Sequence, residues 1–213
     1  MDRVQTNGGT AGLVTAVLLA LLFISFMSSG LDPQTSSDPA KAIPVLAGKP
    51  SLFAMIGILA VLASGFGLVF TIGLYSRLRE GAPTRASALL ALAVVGLTGH
   101  ALGALVLWRG GATVVAAFGR DQVAASHAWI AVHAINSGVN GLGDAFTGAS
   151  ILVAGWAIAA TGALSPTLGW FAVVTGVVIL LQFLSMAPIL FLAGILLAIV
   201  WLAWGGSQLR RAA

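Results

Sequence analysis

The chain has 213 residues, of which 59% are hydrophobic and only 8% charged, with a mean hydropathy of +1.03. Soluble domains carry about 25% charged residues, so these proportions define an integral membrane protein. The absence of cysteine excludes disulfides, thiolate metal sites, iron–sulfur clusters and a cysteine nucleophile, and the net charge of +4 comes from ten scattered Lys and Arg with no basic run beyond Arg210-Arg211, a pattern of membrane topology and not of a nucleic-acid partner.

The apolar stretches are long enough to cross a hydrocarbon core, which takes roughly 20 helical residues. The first span is predicted over residues 9–29. Behind Arg3 it reads as a retained helix and not a cleaved signal peptide, because Ser28-Ser29-Gly30 makes a poor cleavage site. The loop that follows, "GLDPQTSSDPAKAIPVLAGKPS", holds four of the seven prolines and cannot cross a bilayer. Within it Asp38-Pro39 reads as an N-cap and first-turn proline, predicting a short interfacial helix over 39–47. The second span covers 51–75 and stops at "SRLREGAPTR", where Gly81 suits a helix end and Pro83 blocks continuation.

The third span is predicted over 85–107, with Trp108-Arg109 at an interface and Gly110-Gly111 as its break. The apolar "ATVVAAF" beyond is too short to span and reads as a loop or surface helix before Asp121 caps the next segment. The fourth span occupies 138–161, on a helix that starts there or runs on unbroken from near 122. Ser165-Pro166 opens the fifth, over 167–183, and the sixth covers 188–205. No internal repeat supports an inverted-repeat transporter.

Six spans place both termini on one side. Arg3, Arg77, Arg79, Arg85, Arg210 and Arg211 against Asp2 and Glu80 leave that side at +4, while Lys41, Lys49, Arg109 and Arg120 against Asp32, Asp38 and Asp121 leave the other at +1. Both termini are therefore expected to be cytoplasmic. The expected architecture is all-α: one six-helix bundle in the cytoplasmic (inner) membrane of a bacterium.

The stretch "HAWIAVHAINSGVNGLGDAF" at 127–146 departs from this apolar texture. At 100° per residue His133, Asn136, Ser137, Asn140, Asp144 and Thr147 fall within an arc of about 100°, a polar stripe that must turn away from lipid. Exposure to lipid would cost about 2.5 to 3.5 kcal/mol for the aspartate alone. A single helix over 122–160 would be about 58 Å long, nearly twice a ~30 Å core, so its upstream part must project, tilt or break, and glycines 138, 141 and 143 offer a break. Twenty residues counted back from Thr161 put the membrane boundary near Leu142, with Asp144 just inside and His127 and His133 outside or among headgroups. His100 lies about 10 Å below the outer end of its span, and Gln182 is near the outer end of the fifth. Asn140, Asp144, His100 and Gln182 are thus expected at one level in the extracytoplasmic half, with Gly99 and Gly103 allowing close approach beside His100.

Three functional classes follow. Asp144 with His100 fits a proton-coupled or cation-binding pair, or a structural pair joining two spans. His100, His127, His133 and Asp144 include zinc-ligand types, but the six-residue spacing of His127 and His133 turns them away from each other. Paired axial haem ligands from His100 and His133 would need equal depths, which the count does not give. No nucleotide loop, His-Glu-x-x-His motif or Gly-x-Ser-x-Gly elbow is present. The reading therefore assigns no cofactor, no metal and no catalytic residue. It places binding of a small molecule, lipid or ion first, assembly with partner membrane subunits or a second copy next, and an intramembrane metal- or haem-dependent enzyme third.

The proline-bearing outer loop, "GLYSRLRE" after the second span and "GALSPTLGWFAVVTGVVILL" across the fourth-to-fifth turn resemble the bacterial six-helix membrane family catalogued as domain of unknown function 4386. The "SPTLGW" turn stands where that family often has Pro-Arg-x-Leu-Gly, with Thr167 in place of the arginine. The resemblance implies the six-helix architecture and transfers no activity.

Overall fold

The computed structural model describes residues 3–185 and 187–213. The described chain is helical throughout: α1 Arg3–Ser29, α2 Pro33–Ser37, α3 Pro39–Gly48, α4 Pro50–Leu78, α5 Pro83–Leu105, a π-turn Val106–Gly110, α6 Gly111–Phe118, α7 Gln122–Thr161, α8 Pro166–Ser185 and α9 Pro188–Ala212. Among the described residues six helices are long and apolar enough to cross a membrane, with α5, the π-turn and α6 counting as one.

Local chemistry explains where the helices begin. Six of the seven prolines open a helix, where a missing N–H costs nothing; the other, Pro44, lies inside α3. Asp38 accepts from Ala40 N at 3.0 Å, and Asp121 accepts from Val123 N at 3.0 Å and Ala124 N at 2.9 Å, so both act as the N-caps their positions predict. Asp32 caps α2, a short helix the sequence reading left in a loop. Ser165 Oγ accepts from Leu168 N at 3.3 Å at the start of α8. At the other end of α7, Gly162 takes φ +65°, a left-handed stop that glycine adopts without strain.

The six long helices close into a ring in chain order, each packing on its neighbours in sequence and α9 returning onto α1. The first helix is thus part of the bundle wall. Backbones meet where glycines face each other: Gly9 and Gly12 of α1 against Gly206 of α9, Gly8 of α1 against Gly73 of α4, and Gly155 of α7 against Gly169 of α8. These are the small-residue crossings by which helices associate in lipid, where no hydrophobic force drives them together. Outside the ring, Val17, Ile24, Ile58, Val69, Val94, Trp170, Val174 and Val200 are exposed, a belt that faces the bilayer.

Two apolar cores form. The larger, with Leu74, Leu78, Ile158, Leu168, Trp201 and Leu209, fills the half of the ring nearest the termini. Three side chains pin that end: Arg77 Nε donates to Ala163 O at 3.1 Å, Gln208 Nε2 donates to Ser165 Oγ at 2.7 Å, and Gln208 Oε1 accepts from Ser165 N at 3.0 Å. The smaller core, with Leu31, Ile43, Leu46, Phe53, Val114 and Trp129, joins α3, α6 and the N-terminal parts of α4 and α7 into a cap at the opposite end. Trp129 Nε1 donates to Ser36 O at 2.9 Å, tying the α2 segment to α7.

The break expected at Gly110-Gly111 is absent. The helix runs through Gly110-Gly111 by way of the π-turn, with φ of −64° and −59° at the two glycines. Gly110 serves close packing, since a side chain there would press on Val132, whereas a methyl at Gly111 would only touch Leu46 at ordinary contact distance. Helix α7 likewise continues through Gly138, Gly141 and Gly143 for 40 residues, about 60 Å and twice the thickness of a ~30 Å hydrocarbon core. Together with α6 it therefore extends well past the turn between α8 and α9.

Candidate functional site

His100 on α5, Asp144 on α7 and Gln182 on α8 each continue the buried stripe of their helix. Seven and fourteen residues away lie Ala93 and Ala86 for His100, Ile151 and Ile158 for Asp144, and Thr175 and Leu168 for Gln182, all buried. Two heptads keep nearly the same face of a helix. The three polar side chains therefore sit where the apolar core gives way toward the cap, carried there by the inward faces of three neighbouring helices.

They meet through the carboxylate. Gln182 Nε2 donates to Asp144 Oδ2 at 3.1 Å. His100 Nε2 faces Asp144 Oδ1 at 3.7 Å, within ion-pair range but beyond a hydrogen bond. Gln182 is buried, whereas the side chains of His100 and Asp144 remain 30% and 27% exposed. A carboxylate at this depth is costly unless it is paired, and the amide and imidazole supply the partners without closing it off.

Glycines set the register that brings these groups together. A side chain at Gly143 would strike the His100 ring, and one at Gly99 would meet the Gly143 backbone. One turn toward the cap, Gly103 makes room for the Asn140 amide; one turn toward the termini, Gly96 makes room for Thr147. The polar stripe of α7 is thus fitted into a glycine stripe of α5, antiparallel, position by position. On α9, Gly194 leaves space for Gln182 Oε1, which a Cβ there would approach to 2.6 Å. Nothing in the residue types singled out Gly194, one of several small residues on α9.

The remaining candidates are placed as follows. Asn140 Nδ2 donates to Asn136 O at 3.0 Å and to Asn136 Oδ1 at 2.9 Å, so the two asparagines pair along their own helix. Thr147 Oγ1 is buried, with no hydrogen-bond partner among the described residues. His133 stacks on Trp129, with ring centroids 6.1 Å apart and planes at 27°. Ser137 is exposed, as is His127. Asp144, His100 and Gln182 therefore come together, Asn140 and Thr147 flank them in the α5–α7 seam, and His133, Asn136 and Ser137 continue the stripe toward the cap. His100, His127, His133 and Asp144 do not converge: among the described residues no three His, Asp or Glu side chains gather as a metal-ligand set.

Fold and geometry together define a class: a six-span helical membrane protein with a partly open Asp–His–Gln centre held between α5, α7 and α8. No family model, curated protein or solved structure matches the chain.

Proposed function

We propose that the Asp144–His100–Gln182 centre binds a small ligand or ion, with Asp144 as the principal contact, His100 as a neighbouring proton carrier and Gln182 as the group that orients the carboxylate. The reading rests on one observation: the aspartate is tied to one helix and faced by an imidazole from another, yet keeps about a quarter of its side chain accessible, 27%. An aspartate that served only to clamp helices would gain most by saturating its oxygens. A carboxylate with an adjacent imidazole suits a proton-coupled or cationic ligand, including the case of a transporter. Asn140 and Thr147 shape the seam around the centre, and His133, Asn136 and Ser137 form its approach from the cap.

The proposal sets the protein in the inner membrane of a bacterium with both termini cytoplasmic, which puts the centre in the extracytoplasmic half; the charge imbalance between the two sides supports this. It also keeps the likeness to the family of domain of unknown function 4386, supported by "GLYSRLRE" and "SPTLGW".

A second reading, a non-catalytic subunit or scaffold, draws on a different feature. Ala124, Ala128, Ala131, Ile135 and Leu142 form an exposed stripe along α7, mostly in the part that extends past the α8–α9 turn. Purified protein in nanodiscs, titrated with sodium, potassium and tetramethylammonium while its thermal midpoint is followed, separates the two. Binding predicts a midpoint shift that Asp144→Asn abolishes at unchanged folded yield. A variant that alters only co-purifying partners or oligomeric state supports the scaffold instead.

A further inference from the structure

At the end of the bundle that holds the termini, a groove of about 300 Å³ opens along the seam of α1 and α9, lined by Leu13, Ser207, Arg210 and Arg211. It lies far from the Asp144 centre, beyond the larger apolar core. Neither arginine has an ion-pair partner among the described residues. At the same end Arg77 donates to Ala163 O, and Arg85 lies 4.4 Å over the ring of Trp156.

Basic residues in the last turn of a helix complement its dipole wherever they point. Here the surroundings ask for more. Gly9 of α1 faces Arg210 so closely that any side chain at position 9 would meet the Arg210 stem, so the crossing that joins α1 to α9 also fixes the base of that arginine. Leu13 gives the groove an apolar wall on the α1 side. Toward the bundle middle Val17 lies one turn beyond Leu13 on α1 and Val200 two turns before Ser207 on α9, so both continue the helix faces that line the groove; they are 60% and 48% exposed. Two guanidiniums beside each other at the mouth of an apolar seam match one chemistry: a phosphate with a hydrocarbon tail. Guanidinium forks bind phosphate oxygens in pairs, and the exposed valines offer the acyl chain a track.

We propose that this groove is a specific site for an anionic phospholipid, its phosphate held between Arg210 and Arg211 and one acyl chain lying along the Val17–Val200 seam. Ser207 forms the floor, its hydroxyl donating to Trp204 O at 2.8 Å. Phosphate from a soluble ester would satisfy the arginines but leave the seam empty, so the lipid is the occupant to which the site is assigned.

The test uses the full chain. Detergent-purified protein is equilibrated with equimolar phosphatidylglycerol and phosphatidylcholine, and the lipid retained is read by native mass spectrometry, with glycerol 3-phosphate as competitor in a parallel arm. The wild type is expected to retain phosphatidylglycerol preferentially. R211Q is expected to lower that preference roughly 5-fold and R210Q/R211Q roughly 30-fold, the effect of about one basic contact and of two. Because Arg210 packs on Gly9 and its replacement can disturb the helix crossing, R211Q carries the test alone if the double variant fails to fold. Equal retention of the two lipids by the wild type, or an unchanged preference in R211Q, overturns the proposal. Displacement by equimolar glycerol 3-phosphate overturns the lipid assignment in favour of a free phosphate ester.

Discussion

Gln182 on α8 donates to Asp144 on α7 across 3.1 Å, a side-chain bond between residues 38 apart in sequence that fixes the one acidic group inside the bundle among the described residues. Its strength is measurable by a double-mutant cycle of Asp144→Ala and Gln182→Ala in detergent unfolding. Interhelical hydrogen bonds in membranes average about 0.6 kcal/mol and reach about 1.7. The charged acceptor places this pair at the upper end of that range, so a coupling of about 1 to 2 kcal/mol is expected. Single changes that add without coupling would show that the bond contributes nothing to α7–α8 association.

Two glycines five residues apart on α7 should respond in opposite directions. Gly143→Ala drives a methyl into the His100 ring, whose nearest atom would be 2.8 Å away. Overpacking of this kind costs typically 1–3 kcal/mol, and it should also move His100 away from Asp144. Gly138 has nothing within 4 Å of the added methyl. Gly138→Ala therefore gains the helix propensity of alanine, up to about 1 kcal/mol. Thermal unfolding of the two variants side by side checks the contrast; equal effects would mean that the α5–α7 seam is looser than the geometry requires.

The level of His100, Asp144 and Gln182 could be read from the sequence because depth is arithmetic: 1.5 Å per residue, with direction reversing at each span. Which faces of their three helices turn inward, and hence that they meet, shows only once the helices pack. The caps at Asp38, Asp121 and Ser165 were legible too, since a cap depends on the next three residues alone. Glycine was harder. A glycine marks either a special φ or a need for room, and the letter is the same for both; Gly162 is the first kind, while Gly110 and Gly143 are the second. Gly194 behind Gln182 and the bond from Trp129 to Ser36, 93 residues apart, depend on how distant helices settle against each other, which no local pattern encodes.

The chain contains no cysteine, so single introduced thiols report topology without background. Ser37 and Glu80 are both exposed and lie at opposite ends of the bundle. With the termini cytoplasmic, Ser37→Cys is expected to react with a membrane-impermeant maleimide in intact cells, and Glu80→Cys only after permeabilisation. The reverse pattern would invert the assignment and move the Asp144 centre to the cytoplasmic half.

The cap should behave as a separate unit of stability, and Trp129 is the residue that decides it. Its ring is fully buried among Ile43, Leu46 and Val114, apart from the larger core, and its indole N–H satisfies Ser36 O. Trp129→Phe keeps most of the apolar area but removes the indole donor and with it the bond to Ser36 O, a loss of about 1 kcal/mol. Because the cap residues cluster apart from the larger core, the loss is expected to appear as local opening and not as global unfolding. Amide hydrogen exchange should then accelerate about 5-fold or more in residues 31–48, while α8 and α9 exchange as in the wild type. Proteolysis at Lys41 and Lys49 should rise in parallel, because both lie in that segment or at its edge. Uniform acceleration along the whole chain would show instead that the cap and the ring unfold together, and that the 60 Å reach of α7 couples one core to the other.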